Sequence, residues 1–236
     1  MAREAAAIWS HESRAAVACR GRFRVALCGG RTPAPLFRLL AREDFRPVDQ
    51  PALPWDRTDV FWADERYVPH SHAESNFRLA KETLLDHVPV PPENVFPMPT
   101  ASGDPARDAA DYGKTLRRAF PGQAWPRFDL VLLGLGEDGH TASLFPGDAA
   151  LSERTGWVAR ARAPKGVRDR LTLTVPALNA ARLKLLLACG EAKSAVLRRL
   201  VWEPDPQPSL PVGLVEDLLV LTDRAAAADL SPGSGI

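Results

Sequence analysis

FDLVLLGLGEDGHTASLFPG, residues 128–147, runs from an apolar stretch into Gly134, Gly136 and Gly139, spaced G-x-G-x-x-G, and then into His140. The stretch FDLVLLGLG (128–136) predicts a buried strand. The segment after that strand decides the kind of α/β fold. A dinucleotide-binding turn leads from its glycines directly into a long helix. Here Pro146-Gly147 interrupts soon after Gly139, so at most a short helical turn fits. Glu137 and Asp138 would also repel a pyrophosphate. The glycine spacing is therefore a false match, and no nucleotide cofactor is expected. The loop reads instead as a support for His140.

Outward from this loop, strand and helix patterns alternate. FRVALC (23–28), DVFWAD (59–64), WVARA (157–161), RLTLTVP (170–176), RLKLLLAC (182–189) and LLVLTD (218–223) read as strands, and NVFPM (94–98) as a short extended piece. PAPLFRLLAR (33–42), SNFRLAKETLLDHV (75–88), Asp104 to Phe120 and EAKSAVLRRLVW (191–202) read as helices. Such alternation predicts an α/β single domain over residues 1–236, with a Rossmann-like, mostly parallel sheet and helices on both faces. PVDQPALPW (47–55) and EPDPQPSLP (203–211) read as surface connections, and the tail SPGSGI as frayed.

The net charge of +1 gives no reason to expect nucleic acid or a membrane surface as a partner. Cys19, Cys28 and Cys189 are scattered and form no C-x-x-C pair, which argues against a disulfide framework or a zinc knuckle. No apolar run suits a signal peptide or a bilayer span, so a reduced, cytoplasmic protein is expected.

Ligands of such sheets bind beyond the carboxyl ends of the strands. After the first strand, Gly29 and Gly30 would let an anion approach the backbone. Thr32 reads as an N-cap before Pro33, and Arg31 adds a charge. Capping accounts for every residue of this turn except Arg31, so taken alone it needs no ligand. After the second strand, Arg66 could fork onto a phosphate or a developing oxyanion, with Asp64 or Glu65 holding it. His70 and His72 lack a third partner at ligand spacing, so no metal is expected. In the opening loop, His140 suits a general base, and Asp138 would fix its tautomer or raise its basicity. Thr141 and Ser143 could donate to phosphate oxygens. The plainer alternative is a histidine that merely caps a helical turn. Lys165 and Arg170 precede a strand. Lys193 falls in the first turn of a helix, where a cation is favoured only if it faces an anion.

CGGRTP, WADERYVP followed by SN, GLGEDGHTASLFPG, KGVRDRLTLTVPALN and GEAKSA occur in that order. With these motifs the chain resembles the 6-phosphogluconolactonases, part of a wider family shared with glucosamine-6-phosphate deaminase. The resemblance implies a phosphorylated sugar lactone as substrate, with no metal and no nucleotide. It implies His140 as general base and Arg66 at the carbonyl or the phosphate. The Gly29–Thr32 turn, Lys165, Arg170 and Lys193 would surround the phosphate. Cys28 stands where many relatives carry serine, and KGVRDR is less proline-rich than the commoner form. The deaminase branch resembles D-E-Y rather than D-E-R, with a glutamate-bearing sequence after its DGH. A non-catalytic sugar-phosphate sensor is the reading from another class; Asp138 beside His140 favours an enzyme. A monomer or weak homodimer is expected.

Overall fold

The computed structural model describes residues 1–42, 51–203 and 209–230. Strands β1 (Phe23–Leu27), β2 (Thr58–Trp62), β4 (Leu130–Gly134), β7 (Lys184–Ala188) and β8 (Leu218–Thr222) form a parallel sheet in the order β2-β1-β4-β7-β8. The inner strands are apolar apart from Arg24 and Lys184 at their amino ends, because both faces are covered. The crossover β1→β2, carrying α2 (Ala34–Leu40), steps one way across the sheet. The crossover β7→β8, carrying α6 (Ser194–Trp202), steps the other way. Right-handed crossovers therefore put α2 and α6 on opposite faces. One continuous core joins the strands to α1 (Ala2–Arg20), α3 (Asn76–Thr83), α4 (Pro105–Ala119) and α5 (Val175–Asn179).

The structure corrects four of the expectations. WVARA and RLTLTVP do not extend the parallel sheet. They form β5 (Val158–Arg162) and β6 (Asp169–Leu173), which pair antiparallel with β3 (Asp64–Arg66) in a separate sheet, β3-β6-β5. The short loop 163–168 between β5 and β6 fits a hairpin and is too short for a parallel crossover. β2 passes into β3 through Ala63 alone, so one extended segment serves both sheets.

The helix α1 has no counterpart among the expected elements, and Val175 and Pro176, expected to end a strand, open α5 instead. The buried face of α1 is Ala5, Ala6, Trp9, Ser10, Ser13 and Ala16, which gives weak apolar contrast. Thr32 is not the cap of α2. Residues 31–33 form a turn, Pro33 takes the cap position, and no side chain caps the helix. Finally, the two proline-rich connections are not purely surface. Leu53 and Trp55 are buried, Trp55 tilts against Trp9, and Leu210 and Pro211 are buried as well. The remainder of those connections (47–50 and 204–208) and the tail 231–236 lie outside the described residues. Among the described residues, no helix is long and apolar enough to cross a membrane.

Candidate active site

β1 and β4 are neighbours whose onward connections diverge across the sheet, which creates a crevice beyond their carboxyl ends. The 28–33 turn and the 135–147 loop both leave from this point. No helix comes after the glycines of the second loop. Residues 141–144 make a tight turn closed by a Thr141–Leu144 bridge, with Ala142 at φ 48°.

Inside the loop, His140 Nδ1 lies 2.5 Å from Asp138 Oδ1, which also accepts the His140 backbone N–H at 3.2 Å. A carboxylate only accepts, so the proton belongs on Nδ1 and Nε2 is left without a partner among the described residues. Partial burial works to raise the Asp138 pKa, but the His140 hydrogen bond and charge outweigh it and hold the carboxyl below its ordinary value. The loop's glycines have steric causes. A Cβ at Gly136 would stand 2.0 Å from His140 Nδ1. Gly139 combines φ +81° with close contact to Leu210. Phe145 packs against the imidazole, with ring centroids 4.6 Å apart.

Asp64 joins the loops. Its Oδ2 accepts from Ser143 Oγ at 2.7 Å, and Asn76 Nδ2 donates to its carbonyl at 2.9 Å and to Oδ1 at 3.2 Å. Asn76 in turn abuts Gly29, where a Cβ would stand 1.7 Å from Asn76 Oδ1. The turns after β1 and β4 and the start of α3 are thus locked around one buried carboxylate. Glu65, on the opposite face of β3, accepts from the N–H groups of Arg66, Asn76 and Phe77 and from Ser75 Oγ. It holds the start of α3, where Ser75 is the cap. Asp64 and Glu65 therefore act on loops and helix rather than on the Arg66 guanidinium.

Arg66 and Arg170 stand opposite each other across β3 and β6. Arg66 donates to the Glu74 carbonyl at 2.6 Å and Arg170 to the Val167 carbonyl at 2.9 Å. Neither is ion-paired among the described residues. Burial first, and then the Arg66 charge, lower the pKa of Arg170. Two adjacent guanidiniums without a carboxylate partner favour an anion between or beside them.

The other expected residues are distributed unevenly. Gly29 and Gly30 lie in the turn at the crevice, Gly30 with φ 83°, while Arg31 is exposed and unpaired among the described residues. Thr141 and Ser143 do not offer their hydroxyls outward as expected. Both residues are buried, Thr141 donating to the Gly134 carbonyl and Ser143 to Asp64. Lys165 is exposed in the β5–β6 loop, away from any partner the structure describes. Lys193 does face an anion, Glu137 Oε1 at 3.8 Å. Cys28 is buried in the core, and burial pushes its thiol well above the ordinary range. His70 Nε2 meets the Met98 carbonyl and His72 Nδ1 the Glu74 N–H, so the pair does not converge. Among the described residues, no three His, Cys, Asp or Glu side chains cluster as metal ligands would. Asn76 is the support that sequence reasoning missed, and Glu65 is one that it assigned to the Arg66 guanidinium instead of the start of α3. The adjacent glycines Gly29-Gly30 were the available signal that something packs there.

Residues 1–221 match the family of glucosamine-6-phosphate isomerases/6-phosphogluconolactonase. The chain belongs to this family. It is 42% identical over 223 residues to the 6-phosphogluconolactonase of Synechocystis sp., covering 92% of this chain and 88% of that one. It is 43% identical over 220 residues to the 6-phosphogluconolactonase of Rattus norvegicus, covering 90% and 82%. The solved structure of 6-phosphogluconolactonase from Trypanosoma brucei superposes with a TM-score of 0.80 at 30% identity, over 98% of this chain and 96% of that one. Family membership accounts for the mixed α/β architecture.

Proposed function

We propose that this protein hydrolyses 6-phospho-D-glucono-1,5-lactone to 6-phosphogluconate, the second step of the oxidative pentose phosphate pathway. The observation that carries the proposal is the His140–Asp138 pair, with a free Nε2 at the crevice of the sheet. The similarity to proteins named 6-phosphogluconolactonase supports the substrate.

A δ-lactone is an activated ester and needs no covalent nucleophile. His140 Nε2 removes a proton from a water as its oxygen bonds to the lactone carbonyl carbon. The carbonyl oxygen becomes an oxyanion, stabilised by Arg66 or by backbone N–H groups. As the carbon–ring-oxygen bond breaks, the protonated imidazole returns its proton to the departing oxygen. The products are a hydroxyl and a carboxylic acid, which ionises to the carboxylate by giving its proton to solvent. Asp138 keeps the imidazole in the Nδ1–H tautomer throughout. Arg170, Lys193, Lys165 and the Gly29–Thr32 turn bind the phosphate, which fixes the ring in place. Asp64, Thr141 and Ser143 contribute by holding the loops.

The three cysteines are free, which supports a reduced, cytoplasmic setting. Few large apolar side chains are exposed among the described residues, which supports a monomer or weak homodimer. The test is to generate the lactone in situ and follow acid release with spontaneous hydrolysis subtracted. Enzyme-dependent acid release is expected, with no ammonia from glucosamine 6-phosphate. Ammonia release would move the assignment to the deaminase branch, and binding without turnover would make the protein a sensor.

A further inference from the structure

The amino end of the parallel sheet, opposite the end that carries His140, holds a second cationic hollow. It opens beside the first residues of β7 and the approach to β8 as a cavity of about 770 Å³. Arg127, Arg182 and Lys184 line it, with the exposed Asp217 as the one carboxylate in its wall.

Lys184 opens β7, and the residue is only 4% exposed because its stem is buried. Its ammonium makes no hydrogen bond or ion pair with any described residue and is the part of the side chain that reaches solvent, at the hollow. Arg127 is also unpaired among the described residues. Arg182 has a partner, but a shared one. Its Nε is 3.5 Å from Asp129 Oδ1, which Arg20 already holds at 2.8 Å. The other Asp129 oxygen accepts the Arg24 backbone N–H at 2.8 Å. Burial, and then repulsion from Arg20 and Arg127, depress the Arg182 pKa against the pull of Asp129. Asp129 is therefore committed, and the hollow presents three cations to the single carboxylate of Asp217. The cations converge on a concavity instead of running along a face, and the whole chain carries a net charge of only +1. Both points favour a small ligand over a nucleic acid.

We propose that this hollow is a binding site for a small anion of the phosphate class, with Lys184 as its point charge and Arg127 and Arg182 as its forks. The inference does not rest on the lactonase reading, because its primary readout is binding.

The test is calorimetric titration of the full chain with inorganic phosphate and, separately, with glycerol phosphate, at matched ionic strength. Lys184→Met is expected to weaken one binding event about tenfold to a hundredfold, the range for losing a charge-assisted hydrogen bond. Arg127→Ala/Arg182→Ala should do the same from surface positions, which keeps the test decisive if Lys184→Met folds poorly. Lactone turnover should be unchanged in both variants. Tighter binding of glycerol phosphate identifies a phosphorylated metabolite as occupant; equal or weaker binding identifies free phosphate. Isotherms identical in wild type and both variants, or heats matched by sodium chloride, overturn the proposal.

Discussion

The two ends of the parallel sheet handle arginine differently. On the β1 and β4 side of the amino end, Asp59 holds Arg22 and Arg24, and Asp129 holds Arg20 and Arg182. Both carboxylates are buried, with their arginines half-exposed around them. At the carboxyl end, Arg66 and Arg170 face each other across two strands with only carbonyl oxygens as partners. Charge answered by a buried carboxylate is structural; on the proposed reading, charge without one is kept for a ligand. The same side chain would then serve stability beside Asp59 and Asp129 and recognition beside the crevice.

The sharpest way to break this contrast is to test whether the carboxyl end does chemistry at all. His140→Ala should lose about 10²–10⁴-fold in lactone turnover, since that is the worth of a positioned general base. Acid release near the wild-type rate would remove the assignment. Arg66→Ala should lower turnover about a hundredfold, as for loss of one transition-state donor. Its unfolding midpoint in urea should hold steady or rise, because a like-charge neighbour of Arg170 is removed. A clear fall in midpoint would make Arg66 structural, like the arginines of the other end.

A subtler variant keeps every functional group. Gly136→Ala places a methyl 2.0 Å from His140 Nδ1, so the ring must shift. Turnover should fall roughly tenfold to a hundredfold, the scale of an ångström's misplacement. KM and the urea midpoint should change little. At the amino end the effects should reverse. Asp129→Ala should cost about 1–3 kcal/mol of stability by stripping the partner from Arg20 and the Arg24 N–H. Turnover per folded molecule should be retained, and urea unfolding alongside active-site titration checks both halves.

The smallest expected effect concerns pH. Burial raises the Glu65 pKa, although the N–H groups of Asn76, Phe77 and Arg66 pull it back. A raised folded value means that the native state holds the proton more tightly than the unfolded chain does. Its contribution to stability is therefore full below the unfolded value of about 4.3. That contribution is lost as pH rises through the folded value. Glu65→Gln should flatten this slope in urea midpoints taken from about pH 4 to about pH 7. An unchanged slope would place the titration elsewhere.

The parallel strands were legible because a strand buried on both faces must be almost wholly apolar, as LVLLG is and as FRVAL is apart from Arg24. The antiparallel sheet was not, because a strand pattern does not name its partner; only the short loop 163–168 carried that information. α1 stayed hidden because alanine and serine on its inner face mimic its outer face. In the site, D-G-H named its dyad because acid and histidine are two positions apart and glycines flank them. Asn76 pairs with Asp64 across twelve positions and with Gly29 across still more of the chain, so its role exists only in three dimensions. The directions of the Thr141 and Ser143 hydroxyls are likewise products of the turn at Ala142.

Ala63 donates its N–H to the Leu27 carbonyl in one sheet and accepts the Leu173 N–H in the other, each at 2.8 Å. Side chains along the strand beyond it alternate, so Asp64 and Arg66 share a face and Glu65 takes the reverse. The site is therefore governed by parity. One residue added or removed at this joint would exchange the two faces, bringing Glu65 to the loops and turning Asp64 and Arg66 away. A substitution in this segment leaves that parity intact, whereas a change in its length does not.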